Sequence, residues 1–348
     1  MISVILAGGK GLRLWPESRQ KRPKQLCKLT SSKSMLDDTI DRLVNAGSER
    51  IVIITSDELA PAIEKLLNQR KDNHFIEILT EPQGKNTAPA VGLVLARYLS
   101  TCSDKILGIF PADHHVLDIE GFSQTLLRAQ RAAQYNHLAT IGISPTRPET
   151  GYGYIEKTKW EIADLPDVYQ VSSFCEKPDL PTANNYFSSG QHMWNAGIYV
   201  GKGSVFMEEF RKYLPDVYNR MILGYDEYIH SYDNLPDISL DYGIAEKSDR
   251  MAVIPANFGW SDLGSWNALA ELKQQDDNMN VCCGNDVIVV ESHNCLVKQA
   301  EKTVVLFGVD NLLVVETDDV IFISQRDRSQ DVRQIVENLK QNNRFDLL

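Results

Sequence analysis

Apolar residues are distributed along this chain in two textures. Through the first half, short apolar runs alternate with longer amphipathic stretches. Val4–Leu6, Ile51–Thr55, Ile76–Thr80, Ile106–Phe110 and Leu138–Ile143 read as buried strands. Between them, Met35–Ala46, Glu58–Gln69, Ala88–Ser100 and Phe122–Tyr135 read as helices. The alternation predicts an α/β fold, a Rossmann-like mixed, mostly parallel sheet with helices on both faces. Val168–Cys175 continues the series as a strand and Pro181–Ser188 as a helix. From Asp276-Asp277-Asn278, a polar break, the texture changes. Val287–Glu291, Cys295–Val297, Val304–Phe307, Leu312–Glu316 and Val320–Ser324 follow at roughly eight-residue spacing with turn residues between, which predicts a small all-β unit. A helical run from about Asp331 to Asn342 closes the chain. The expected domains are therefore 1–275 and 276–348.

In sheets of the first kind, ligands bind beyond the carboxyl ends of the strands. The first strand ends in Leu6-Ala7-Gly8-Gly9-Lys10-Gly11. Glycines let the backbone approach a ligand closely, and such loops turn N–H groups toward anions. Arg13, Arg19, Lys21, Arg22 and Lys24 follow, so loop and basic tail together describe a polyphosphate site. A tight turn without a ligand is the plainer reading. A dinucleotide fingerprint fails at Leu14, where a further glycine is needed, and a P-loop fails because Gly9-Lys10 is followed by Gly11.

After the third strand comes Glu81-Pro82-Gln83-Gly84-Lys85-Asn86-Thr87-Ala88. Asn86 or Thr87 can cap the next helix. Glu81 and Asn86 also offer a carboxylate and an amide, groups that match the donors and acceptor of a guanine edge. After the fourth strand, Asp113 is a candidate hard-cation ligand or a solvated turn residue. The adjacent His114 and His115 point in different directions and carry no zinc motif. In Glu149-Thr150-Gly151-Tyr152-Gly153-Tyr154, glycines alternating with tyrosines suit a loop against a sugar ring, or an edge turn with core aromatics.

Composition narrows the ligand class. Of 348 residues, 47 are acidic and 36 basic, a net charge of −11 that disfavours nucleic acid and suits a small anionic substrate held by local basic loops. The six cysteines form no Cys-x-x-Cys pair, as expected of reduced thiols in a cytoplasm. The apolar run at the N-terminus stops at Ala7, too short for a signal peptide. No stretch approaches the ~20 apolar residues of a membrane span.

The run Gly8-Gly9-Lys10-Gly11-Leu12-Arg13-Leu14, with Pro23-Lys24 beyond it, resembles the signature of the sugar-phosphate nucleotidyltransferases. Trp15-Pro16, Ser18-Arg19 and Pro23-Lys24-Gln25 resemble one branch, the mannose-1-phosphate guanylyltransferases. So do Glu81–Ala90, Pro145–Ile155, Glu176-Lys177-Pro178, Trp194-Asn195-Ala196-Gly197, Asp241-Tyr242, Glu246-Lys247 and Trp260-Ser261-Asp262 with Gly264-Ser265-Trp266. The resemblance runs from Val4 to about Leu339, and Leu12 departs from it where threonine is usual; Lys10 is a second departure.

The resemblance implies Mg²⁺-dependent transfer from GTP to mannose 1-phosphate, giving GDP-mannose and diphosphate. It assigns Leu6, Ala7, Gly8, Gly9, Gly11, Glu81, Asn86 and Ala88 to the nucleotide. Gly151, Tyr152, Glu176 and Asn195 fall to the sugar. Arg13, Lys24 and Lys177 become the catalytic cations, and Asp113 and Asp262 the metal ligands. Asp262 as a turn or helix cap remains the plain alternative, and Trp260 and Trp266 are expected to pack rather than react. The C-terminal unit is expected to be β-helix-like. The partners are GTP and mannose 1-phosphate, with neither nucleic acid nor membrane, in a cytoplasmic protein for which a homodimer is allowed. Longer relatives carry an isomerase domain beyond the last residues seen here, so that second activity is expected to be absent. Two other functions fit the same residues: this chemistry on another hexose or heptose phosphate or another nucleotide, and a non-catalytic nucleotide-sugar sensor.

Overall fold

A computed structural model describes residues 1–9 and 11–348; Lys10 lies outside them. The chain divides into two compact units. One gathers Met1–Gly8, Thr39–Ala112 and Val116–Trp260, the other Gly9–Asp38, Asp113–His115 and Ser261–Leu348. Compactness thus does not follow the single cut at residue 275 expected from sequence texture. The second unit draws in the glycine loop and basic segment.

The first unit is built on a sheet of nine strands: β1 (Ile2–Leu6), β2 (Arg50–Ser56), β3 (Ile76–Glu81), β4 (Ile106–Pro111), β5 (Leu138–Ile143), β6 (Tyr154–Glu161), β7 (Tyr169–Cys175), β8 (His192–Lys202) and β9 (Met251–Ala256). Their order is β3-β2-β1-β4-β8-β5-β9-β7-β6, with β6 also pairing β8. Pairing is parallel from β3 through β4 and between β5 and β9. It is antiparallel wherever β8 meets a neighbour and between β7 and its neighbours. The sheet is mixed, and its parallel character is concentrated in the first four strands. The cause is β8, a long strand lying antiparallel between β4 and β5.

Helices α1 (Met35–Asn45), α2 (Ala60–Leu67), α3 (Thr87–Arg97) and α4 (Ile119–Gln134) sit where the periodicity places them; α5 (Leu180–Ser189), α6 (Gly203–Tyr213), α7 (Pro215–Met221) and α8 (Tyr225–His230) complete the unit. Ile51 to Thr55 are all buried although their side chains alternate across the sheet, so both faces of β2 are covered. α3 is buried from Ala88 to Ala96, the environment of a helix with little polar face. Gly92 admits the close approach of Tyr228, whose hydroxyl would lie 2.3 Å from any Cβ placed there.

The second unit carries the β-coil: β10 (Val281–Cys283), β11 (Val287–Val290), β12 (Leu296–Lys298), β13 (Val304–Phe307), β14 (Leu312–Glu316) and β15 (Ile321–Gln325). Val281 pairs in parallel with Leu296, Leu296 with Leu313, and Val287 with Val304, so successive turns stack. Alternation along these strands serves two cores. Cys295, Val297 and Val314 face the coil interior with Leu306. Leu296, Leu313 and Val315 face outward and pack with Leu14, Trp15, Cys27 and Leu29 of the basic segment. The same cluster takes in α9 (Trp266–Glu271) and α10 (Val332–Gln341) through Trp266, Val332 and Val336. That shared core explains why Gly9–Asp38 belongs with the coil.

Trp266 is fully buried there, and its indole N–H donates to the Trp15 carbonyl at 3.2 Å. Among the described residues no helix is long and apolar enough to cross a membrane. Trp266→Ala is expected to destabilise the protein by about 3–5 kcal/mol, the range for emptying a large aromatic site. Urea unfolding checks this; an unchanged midpoint would contradict the assignment of Trp266 to the core.

Candidate active site

In the second unit, Gly11 adopts φ +47°, a left-handed conformation that favours glycine, and a Cβ there would meet the Lys24 Cβ at 2.8 Å. The glycine loop is also held by Gln25, whose amide donates to the Gly9 carbonyl at 3.0 Å. Lys24 is buried. Its ammonium donates to Asp113 Oδ2 at 2.9 Å and to the backbone carbonyl of Asp262. Burial pushes the Asp113 carboxyl up, but Lys24, His114 and the hydrogen bond from Lys24 outweigh it and hold it below the usual carboxylate range. Asp262 Oδ1 accepts from Gly264 N at 3.0 Å, so the turn role considered for it is real and coexists with a place at the cleft.

Gly11, Arg13, Lys24, Asp113 and Asp262, all expected from the sequence, line one cleft of about 490 Å³. The basic run does not act as a block, however. Arg19 is tied to Asp319 and Arg22 to buried Glu17, leaving Arg13 as an exposed cation on the cleft. Arg333, Glu337 and Lys340 of α10 line the same cleft and were not foreseen. Their only signal in the sequence is charge recurring at helical spacing, which a solvated helix face shows equally. Among the described residues no three His, Cys, Asp or Glu side chains converge as a metal cage. Two carboxylates on one cleft nonetheless fit a hard divalent cation that completes its shell with water and phosphate oxygens.

In the first unit, Glu81 ends β3, is buried, and accepts from the Tyr232 hydroxyl at 2.8 Å. A Cβ on Gly8 would lie 2.6 Å from Glu81 Oε1, so the glycine is what admits the carboxylate to the loop. Burial raises the Glu81 pKa, and the Tyr232 hydrogen bond offsets this only in part. Tyr232 had no signal in sequence, because it reaches Glu81 from the far side of the chain. Leu6 is half-buried at the end of β1, and Ala7 N donates to the Ile54 carbonyl at 2.7 Å. Asn86, exposed at φ +67°, accepts from Thr87 N and is the helix cap, while Thr87 Oγ1 accepts from Leu240 N at 2.7 Å. Ala88 is fully buried and its N–H is used by the Ile238 carbonyl. The expected nucleotide contact of Ala88 therefore gives way to a packing role under α3.

The residues expected at the sugar are also in this unit. Tyr152 lies edge-on to Trp194 and Trp260, with ring centroids 5.1 and 5.3 Å away, and Gly151 is exposed beside it. Glu176 follows β7 and pairs with Lys177 at 2.9 Å. Burial and the nearby Asp241 raise the Glu176 pKa despite that partner. A Cβ on Gly153 would meet Glu176 Oε2 at 2.5 Å. Asn195 Oδ1 accepts from Thr140 Oγ1 at 2.9 Å and Gly197 N at 3.2 Å, and its Nδ2 donates to the Tyr199 oxygen at 3.0 Å and Asp241 Oδ1 at 2.9 Å. Both donor hydrogens of the amide are thus used within the protein, while the single Thr140 hydroxyl hydrogen is shared between Asn195 Oδ1 and the Ile198 carbonyl. Asn195 positions Asp241, with Tyr199 donating to the same oxygen at 2.5 Å.

A raised folded-state pKa gives Glu81 a defined effect on stability. The penalty for burying its charged form sets in as pH rises through the ordinary glutamate range and is complete above the folded-state value. Glu81→Gln removes it, so the stability of the variant relative to wild type is expected to rise between about pH 4 and about pH 7. Urea midpoints at both pH values check this; parallel profiles would contradict it.

The chain matches two family models, that of the nucleotidyl transferases over residues 2–279 and that of the MannoseP isomerase/GMP-like beta-helix domain over residues 285–339. It is 38% identical to the alginate biosynthesis protein AlgA of Pseudomonas aeruginosa, covering 97% of this chain and 72% of that one. It is also 38% identical to a mannose-1-phosphate guanylyltransferase of Salmonella montevideo, covering 99% and 74%. Among solved structures, a Thermus thermophilus protein described as a mannose-1-phosphate geranyltransferase superposes with a TM-score of 0.89 at 32% identity, covering 97% of this chain and 99% of the other.

Proposed function

This chain belongs to the nucleotidyl transferase family, and we propose that it transfers GMP from GTP to mannose 1-phosphate, releasing diphosphate and forming GDP-mannose. The observation that carries the proposal is similarity to mannose-1-phosphate guanylyltransferases along 99% of the chain. The cleft supports it by bringing together the glycine loop, two carboxylates and the cations Arg13 and Lys24.

The nucleophile is a phosphate oxygen of the sugar phosphate, already anionic near neutral pH, so no protein base is needed. It attacks the α-phosphorus of GTP; the bond to the bridging oxygen breaks and diphosphate leaves. The protein's task is to hold two anions in line against their repulsion. Arg13 and Lys24 neutralise the leaving diphosphate, aided by N–H groups of the glycine loop. Lys177 holds the sugar phosphate, with Gly151, Tyr152 and Glu176 at the sugar and Glu81 and Asn86 at the base. Asp113 and Asp262 would hold Mg²⁺, which when bound supplies charge neutralisation and orientation of the α-phosphate.

Diphosphate release by the purified protein with Mg²⁺, across four nucleoside triphosphates and several sugar 1-phosphates, tests the proposal. Release confined to GTP with mannose 1-phosphate is expected; release with a different pair would overturn the specificity, and binding without release would favour a sensor. Asp113→Ala is expected to lower turnover about 100-fold or more, the effect of losing several kcal/mol of charge stabilisation, and to lower the urea midpoint as well, because buried Lys24 loses its carboxylate partner. Normal turnover in that variant would remove Asp113 from the metal site.

A further inference from the structure

We propose that α10 is part of the catalytic cleft and that Arg333 and Lys340 bind the diphosphate portion of the nucleotide and the diphosphate product. This rests on the nucleotidyl transfer just described but not on the identity of its nucleotide or sugar. At 3.6 residues per turn, positions 333, 337 and 340 share one stripe of the helix. Val332 and Val336 are buried in the core that also holds Leu14 and Trp15, so the helix is anchored beside the start of the basic segment. The stripe with Arg333 and Lys340 then lines the cleft that Gly11, Arg13, Lys24, Asp113 and Asp262 line.

The charges on this cleft call for an anion. The charge of Lys24 is offset by Asp113, 2.9 Å away, before any ligand arrives. Arg13, Arg333 and Lys340 are exposed and make no ion pair or side-chain hydrogen bond among the described residues. Three unpaired cations around one cleft repel one another, and a ligand with several negative charges relieves that repulsion. Glu337 and Asp262 are the opposing carboxylates, and the cations outnumber the carboxylates even before a metal is bound. Among phosphate groups of the reaction, the diphosphate fits best. The cleft includes Gly11 of the glycine loop, whereas Lys177, assigned to the sugar phosphate, and Glu176, assigned to the sugar, are not among its lining residues.

Calorimetric titration of magnesium diphosphate into the full chain tests this directly. Arg333→Ala and Lys340→Ala are each expected to weaken binding about 10-fold and the double variant about 100-fold, as for loss of charge-assisted contacts. Arg333→Lys is expected to recover most of the loss. In steady state the KM for the nucleotide should rise with the binding loss while that for the sugar phosphate stays fixed. Gln334→Ala and Asn338→Ala, exposed on the same helix but absent from the cleft, should leave diphosphate binding unchanged and report on helix integrity. Wild-type affinity in the folded double variant would overturn the proposal, as would equal losses from the Gln334 and Asn338 variants. If the chain proves to use another nucleotide or sugar, the diphosphate titration still decides the role of α10, because every such transfer releases the same product.

Discussion

One ammonium group holds the second unit together at its chemical centre. Lys24 lies in the basic segment, Asp113 in a short segment after β4, and Asp262 at the start of the C-terminal stretch, and Lys24 bonds to both. These are the three separate pieces of chain from which the unit is made. The pair is half-sheltered from water, so its attraction is screened less than that of a surface pair. It also keeps Asp113 ionised. The resulting stability is present above the ordinary aspartate range and lost as pH falls through the lowered folded-state value.

Rigid surroundings make that contact geometrically defined. The basic segment is laid on the outer face of the β-coil through Leu14 and Trp15, and Trp15 is fixed at both ends. Its indole N–H donates to the Leu347 carbonyl at 2.8 Å, and its own carbonyl accepts from Trp266. Arg19 and Arg22 serve this scaffold by pairing with Asp319 and Glu17. In the first unit, glycines do the comparable work of fitting charged groups into tight space. Gly8 and Gly153 leave room for Glu81 and Glu176, two carboxylates whose pKa values burial raises.

Much of this was legible in sequence because it is local. Periodicity located the first strands and helices within a few residues, and the β-coil strands were visible as evenly spaced apolar runs. What escaped depends on distant partners. β8 does not show as a strand in the sequence, because Asn195 and Gly197 interrupt its apolar pattern; the Asn is tolerated there because Thr140, Tyr199 and Asp241 satisfy it. The basic run looked uniformly ligand-directed until Asp319, some three hundred residues on, claimed Arg19. Arg333 and Lys340 look like any solvated charges until the core under Val336 turns their stripe toward the cleft. The motif residues Gly11, Arg13, Lys24, Asp113 and Asp262 did converge, since motif spacing encodes which strand ends they follow.

The most direct test of the central claim is the reaction run backward. Purified full-length chain is incubated with Mg²⁺, diphosphate and GDP-mannose, and the products are quantified by anion-exchange chromatography. Equal amounts of GTP and mannose 1-phosphate should form, with little turnover of UDP-glucose or ADP-glucose in parallel reactions. Cleavage of another nucleotide sugar in preference to GDP-mannose, or no cleavage of any by protein that binds diphosphate, would contradict the account.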